Sequence, residues 1–403
     1  MQKIVIIGGG AAGFFAAITC AEHNPDNEVI ILERSSKVLQ KVKVSGGGRC
    51  NVTHACFTPN ELCEFYPRGK KELLGPFHQF MTGDTMQWFE ERGVPLKIEA
   101  DNRIFPQSNS SQTVIDCLVN GIQNAGVQVK LGHSVEGIQK DDKQWKVCTN
   151  KGDFIADKLL IASGSNTKVW ELISNLDHTI IPPVPSLFTF KISDNRIKEI
   201  PGISVPNASV FLLDSKFESN GPLLITHWGI SGPAVLKLSA FGALFLAEKN
   251  YQYCVKVNWL SKPLSTVLNK LKILKKENSK KQLILKSLFK DIPKRLWEQL
   301  VLASEIKPAQ RWADTSNKQL DNLANQLTNA TFNAYGKTTF KEEFVTAGGI
   351  DLKEINFKRF ESKIHNNLFF AGEVLNIDAV TGGFNFQNAW TGGYIAGKTM
   401  AYS

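Results

Sequence analysis

Two glycine clusters near the N-terminus have the clearest capacity for chemistry in this chain. Gly8-Gly9-Gly10-Ala11-Ala12-Gly13 fits the spacing G-x-G-x-x-G, and Glu33 follows its last glycine by a stretch long enough for one helix and one strand. In such a pattern the first glycine permits a tight turn and the second lets a pyrophosphate reach the backbone at the positive end of a helix. The third lets helix and strand lie close, and the acid accepts from a ribose hydroxyl. Gly8, Gly10, Ala12, Gly13, Glu33 and the neighbouring Arg34 are therefore candidate cofactor residues. The second cluster is Gly46-Gly47-Gly48 within "KVSGGGRCNVTH". Three successive glycines lose much conformational entropy on folding, so they mark positive φ angles or a backbone that something approaches closely.

Side chains able to move protons are fewer. His227, in "THWGISGP", is either a proton donor on a turn or a structural imidazole bonded to backbone. Arg103 fits a substrate anion clamp or an ordinary ion pair equally well. No Ser-His-Asp order, no H-E-x-x-H and no metal-spaced histidine cluster is present, so no metal site is expected. The seven cysteines form an odd set without a C-x-x-C pair, which points to a reducing, cytoplasmic setting and away from zinc ribbons and redox disulfides.

The elements that must position these residues follow from hydrophobic pattern. "KIVII" reads as a buried strand, Phe14 to Glu22 as a helix, and "EVIILE" as a second strand ending in Glu33. A glycine triplet interrupts the first apolar stretch, which argues against a signal peptide, and no run of about 18 apolar residues exists to span a membrane. At 403 residues and 42% hydrophobic composition, two or three domains are expected. The formal charge of +9 comes partly from Leu271 to Trp297, a leucine-lysine stretch expected to be the solvated face of an amphipathic helix, so a nucleic-acid partner is not expected.

Two C-terminal stretches indicate which dinucleotide is bound. "NNLFFAGEV" resembles the late strand of two-dinucleotide-binding-domain flavoproteins, which reaches the flavin ribityl and pyrophosphate and here carries Gly372 and Glu373. Thr381-Gly382-Gly383, with Asn385 just beyond, opens a helix whose positive end can face the flavin pyrimidine. Gly392, Gly393 and Gly397 within that helix read as close-contact positions. "DKLLIASGS" resembles the apolar strand of the same flavoproteins that runs into glycine beside the cofactor, giving Ser163 and Gly164. "GVQVKLGHSVEGIQ" places Val135 either against an adenine or in an ordinary hairpin.

Four ordered motifs, "KVSGGGRCN", "RIFPQSNSSQTV", "GPLLITHWGISGPAVL" and "FVTAGGIDLKEI" through "FAGEVLNIDAVTGGFNFQNAW", resemble the BaiN-like (YhiN-type) bacterial FAD-dependent oxidoreductases over nearly the whole chain. The resemblance implies that Ser45, Gly46, Gly47, Arg49 and Asn51 line FAD and that Lys41 is the basic residue preceding the loop. Glycine N–H groups would then form an anion-accepting concavity with Arg49 nearby. The alternative is a structural loop with a salt-bridged arginine. One departure stands out: where the family continues past Gly164 with glycine-rich sequence, this chain has the helix-like "SNTKVWELISNLDH".

The expected fold is α/β, a Rossmann-type FAD domain of the two-dinucleotide-binding-domain kind, formed by residues 1–186 and 341–403. A β domain at 187–260 and 331–340 and a helical cap at 261–330 are inserted into it, with the proline-rich "IIPPVPS" marking the exit. No second G-x-G-x-x-G is present, so NAD(P)H is expected as a transient donor sharing the substrate cleft. The resemblance implies reduction of a conjugated or electron-poor small molecule. An amine-type oxidase using oxygen and a flavin-bearing RNA-binding protein are the alternatives.

Overall fold

The computed structural model describes residues 1–141, 143–338 and 345–402. The expected domain boundary at 340/341 lies outside these residues. The chain forms two compact units, one from residues 1–184 with the stretch from 345 onward, the other from 185 to the end of the intervening segment.

The first unit is built on a Rossmann-type sheet. Strand β1 (Lys3–Ile7) pairs in parallel with β2 (Glu28–Glu33) on one side and with Lys158–Ile161 on the other. Gln128–Leu131 extends the sheet beyond β2, and Leu368–Phe370 extends it beyond Lys158–Ile161, both in parallel. The short strands Glu361–Ser362 and Ile355–Asn356 finish that edge antiparallel. Central strands covered on both faces need continuous apolar runs, which "KIVII" and "KLLI" supply. Helix α1 (Ala11–His23) follows β1 directly and lies along the C-terminal helix Phe384–Tyr402. Gly393 and Gly397 make that contact close: a Cβ on Gly393 would sit 2.8 Å from Ala12 O, and one on Gly397 2.5 Å from Ala16 O.

Among the described residues the unit also holds two three-stranded antiparallel sheets and a two-stranded one. One three-stranded sheet contains Val135–Asp141, Gln144–Thr149 and Gly152–Ala156. The strand before it, Gln128–Leu131, belongs to the main sheet, so the chain passes between two sheets just before Val135, which then opens an antiparallel hairpin by pairing with Thr149. The other contains β3 (Thr53–His54), Arg103–Pro106 and Leu96–Ile98. The proline-rich segment expected as a plain exit is itself a strand, Ile180–Ser186, paired with Val345–Ile350 in a two-stranded sheet. Its prolines are tolerated because a two-stranded ribbon leaves edges on which no N–H is required.

The second unit is a closed antiparallel barrel with strands in the order Thr189–Ile192, Gly229–Ser231, Glu218–Thr226, Ser204–Leu212, Gln252–Asn258 and Ala330–Thr338. Alternation along Gln252–Asn258 sends Tyr253, Val255 and Val257 into the core. Helices Leu264–Glu277, Lys294–Ala303 and Asn317–Thr328 add Leu271, Trp297 and Leu323 to the same apolar cluster, so barrel and helices share one core. The basic stretch expected as one amphipathic face is helical only at its two ends, with turns and bends between Asn278 and Pro293.

Candidate cofactor site of the first unit

Where β1 and Lys158–Ile161 lie side by side, the chain leaves their carboxyl ends in different directions, and such a switch point is where open α/β sheets bind ligands. Gly8 turns tightly there, with Gly8 N donating to Leu32 O at 2.9 Å. Gly10 caps α1, and a Cβ on it would meet no atom within 4 Å, so its backbone is open to a ligand. Glu33 accepts at 2.8 Å from both Gly9 N and Ser35 N, which fixes the glycine turn against the end of β2.

Gly8, Glu33, Arg34, Val135 and Ser163 line one cleft at this point. His133 and Lys168 line it too. Sequence reasoning missed both, although His133 stands two residues before Val135. The Ser163 hydroxyl oxygen is buried and has no hydrogen-bond partner among the described residues. A buried hydroxyl left unbonded costs free energy unless a ligand completes it.

Farther along α1 a second group converges. A Cβ on Gly372 would lie 3.1 Å from Ala12 Cβ, and one on Gly164 would lie 3.7 Å from a Glu373 carboxylate oxygen. The same carboxylate forms an ion pair with Lys41, at the start of α2 (Gln40–Gly48), and accepts from Thr346 N at 3.3 Å. Lys41, Gly164, Gly372, Glu373 and Ala12, far apart in sequence, thus meet beside the first turn of α1.

Helix α2 breaks at Ser45, after which Gly46, Gly47 and Gly48 have φ of 56°, 68° and 84°. Side chains on Gly47 and Gly48 would meet nothing within 4 Å, so this left-handed run presents exposed backbone. Ser45 Oγ donates to Val42 O at 2.8 Å. Arg49 donates to Glu99 at 2.7 Å and its guanidinium lies 3.9 Å from the Phe105 ring centre, so its charge is balanced within the protein. Burial pushes the neighbouring Cys50 thiol up to about 12, which removes it as a nucleophile.

The turn before the C-terminal helix is held from several sides. Asn385 closes it, accepting from Ala379 N at 3.0 Å and donating to Ala379 O at 3.1 Å, while Thr381 is exposed. Asn51, with its amide oriented to satisfy both ends, accepts from Gly383 N at 3.0 Å and donates to Thr53 O at 2.9 Å. His54 Nδ1 donates to Gly382 O at 3.1 Å, and its ring lies 4.5 Å from that of Phe384. Buried Asp378 pairs with Arg68. His54 and Arg68 went unassigned in the sequence because no local motif contains them together with their partners.

His227 belongs to the second unit, where it is exposed in the turn between strands Glu218–Thr226 and Gly229–Ser231. Within the first unit, the open glycine backbone at Gly10, Gly47 and Gly48 and the unbonded Ser163 hydroxyl fit a dinucleotide with a pyrophosphate.

The sequence profile described as HI0933-like protein Rossmann domain matches residues 2–399. A 3-dehydro-bile acid delta(4,6)-reductase of Clostridium scindens is 27% identical over 414 aligned residues, covering 100% of this chain and 99% of that protein. A ribosomal RNA dihydrouridine synthase of Haemophilus influenzae is 28% identical, with 98% of each chain covered. Among solved structures, a 3-ketosteroid-delta4-(5alpha)-dehydrogenase of Rhodococcus jostii superposes with a TM-score of 0.52 at 13% identity, covering 100% of this chain and 97% of the other, which is a likeness of fold.

Proposed function

The chain belongs to the family described as HI0933-like protein Rossmann domain and is an FAD-dependent oxidoreductase, and from that premise we propose that it saturates a carbon–carbon double bond conjugated with a carbonyl, with NAD(P)H as electron donor. The cofactor part rests on one observation, the cleft at the switch point where Gly8, Glu33 and the unbonded Ser163 hydroxyl come together. FAD, when bound, supplies the two-electron chemistry. Glu33 and Ser163 would hold its adenosine half, Gly10 and the first turn of α1 its pyrophosphate, Glu373 with Lys41 the ribityl, and the start of the C-terminal helix would face the pyrimidine.

The substrate class draws support from two relatives. Their names denote saturation of a double bond conjugated with a carbonyl, in a 3-dehydro bile acid for one and in a uracil of ribosomal RNA for the other. In this reading His227 is the proton donor to the carbon next to the carbonyl. A second reading, in which the acceptor is a uracil carried by RNA, is favoured by the exposed Lys272, Lys276, Lys280 and Lys281 and the net charge of +9. Anaerobic titration with NADH and NADPH tests the donor: the flavin absorbance should bleach, and adding a 4,6-dien-3-one steroid or a uridine-containing RNA should restore it. Absence of bleaching by either nucleotide would sink the donor assignment, and the acceptor that restores colour decides between the two substrate readings.

A further inference from the structure

The peptide bond joining Gly382 to Gly383 is held at both polar ends by one short segment. Its carbonyl accepts from His54 Nδ1 at 3.1 Å, and its N–H donates to Asn51 at 3.0 Å. Because that carbonyl and that N–H belong to one planar unit, the two side chains fix its rotation as well as its position. Both glycines have positive φ, 132° and 92°, a region in which glycine does little to oppose reorientation. Side chains are excluded here as well: a Cβ on Gly383 would lie 2.6 Å from Thr53 C. Directly afterwards comes the helix Phe384–Tyr402, whose first N–H groups have no partner within the helix.

We propose that Asn51 and His54 are positioning residues that lock the Gly382–Gly383 peptide, so that the first turn of the C-terminal helix keeps its N–H groups toward the flavin pyrimidine, and that protonation of His54 couples the electron affinity of the flavin to pH. This rests on the FAD reading above. The Phe384 and Phe65 rings flank the imidazole at 4.5 and 5.6 Å. Arg103 is its cross-strand neighbour on the adjacent strand, and Asp101 lies in the same hairpin. Burial favours the neutral ring, while Gly382 O and Asp101 pull the other way and Arg103 adds to burial. Nδ1–H donates to Gly382 O in either charge state, so a proton arriving at Nε2 adds positive charge beside the helix start without releasing the clamp. That charge adds to the helix dipole and favours negative charge on the pyrimidine.

The test compares the FAD-loaded wild type with His54→Gln and His54→Phe, measuring the flavin midpoint potential from pH 5 to 8 and FAD affinity by reconstitution of the apoprotein. In the wild type the plot of potential against pH should steepen below the ordinary imidazole range. In His54→Gln the steepening should vanish, with FAD affinity within about twofold because an amide N–H can replace the imidazole donor. In His54→Phe it should vanish with FAD weakened about tenfold, the loss expected for one hydrogen bond. Steepening that persists in His54→Gln, or unchanged affinity in His54→Phe, overturns the clamp. A wild type that binds no FAD overturns the cofactor reading instead, so the two failures are distinguishable.

Discussion

At Ser163 a buried hydroxyl makes no bond to any described residue, which is a stability defect unless a ligand completes it. Ser163→Ala should leave the apoprotein melting temperature unchanged or slightly higher while weakening FAD about tenfold, the net value of one hydrogen bond; equal loss in both measurements would show a structural hydroxyl. Gly10 gives a complementary test. Its φ of −97° suits any residue and a Cβ there meets nothing, so Gly10→Val should fold yet lose FAD because the branched side chain occupies the approach. Full flavin occupancy in that variant would refute the pyrophosphate assignment. Gly8, Gly10, Glu33 and Ser163 were legible in the sequence because each belongs to a short motif whose residues act within one turn or strand end. His133, Lys168 and His54 were not, since their partners arrive from other strands and no spacing announces them.

Between elements, the loop after the helix Thr167–Ser174 is tied to the C-terminal part of the first unit through His178. Glu354 Oε2 lies 2.8 Å from His178 Nδ1, and Ser362 Oγ lies 3.0 Å from His178 Nε2. Burial lowers the His178 pKa against the pull of Glu354. Glu354, which burial alone would raise, is brought below the usual carboxylate range by Thr179 and His178. Both folded-state pKa values are below the unfolded ones, so both groups favour the native state at neutral pH and cease to do so on acidification. His178 acts first, as pH falls from about 6.5 toward its lower folded value, and Glu354 acts below the carboxylate range. Unfolding free energy measured by urea between pH 7 and 5 should therefore decline, and His178→Gln should flatten that slope; a slope unchanged in the variant would assign the acid sensitivity elsewhere. Ile180–Ser186 shows why this scale was only partly legible: its prolines read as a break, and only the remote strand Val345–Ile350 makes it a strand.

The whole molecule carries one dinucleotide fingerprint, and it is committed to FAD. Under the proposed NAD(P)H-dependent reaction, donor and acceptor would share one cleft and bind in turn, so double-reciprocal plots should be parallel, and intersecting lines with a ternary complex would reveal a separate nicotinamide site. His227→Ala should slow the oxidative half-reaction by about 10²-fold while leaving flavin reduction intact, the value typical of a general acid; an unchanged oxidative rate returns that histidine to the surface. Resemblance in four motifs was legible across the chain because those motifs are local. Barrel closure was not, because Thr189–Ile192 pairs with Ala330–Thr338 only after helices intervene.

The split first unit also sets an order of events during synthesis. Its sheet lacks Leu368–Phe370, and α1 lacks its partner helix, until residues 368–402, which follow the whole barrel in sequence, have left the ribosome. The barrel unit, continuous in sequence and with its own core, emerges earlier and can fold while the Rossmann sheet waits unfinished. A nascent chain stalled before Leu368 would therefore hold a formed barrel and a sheet still missing the strand Leu368–Phe370.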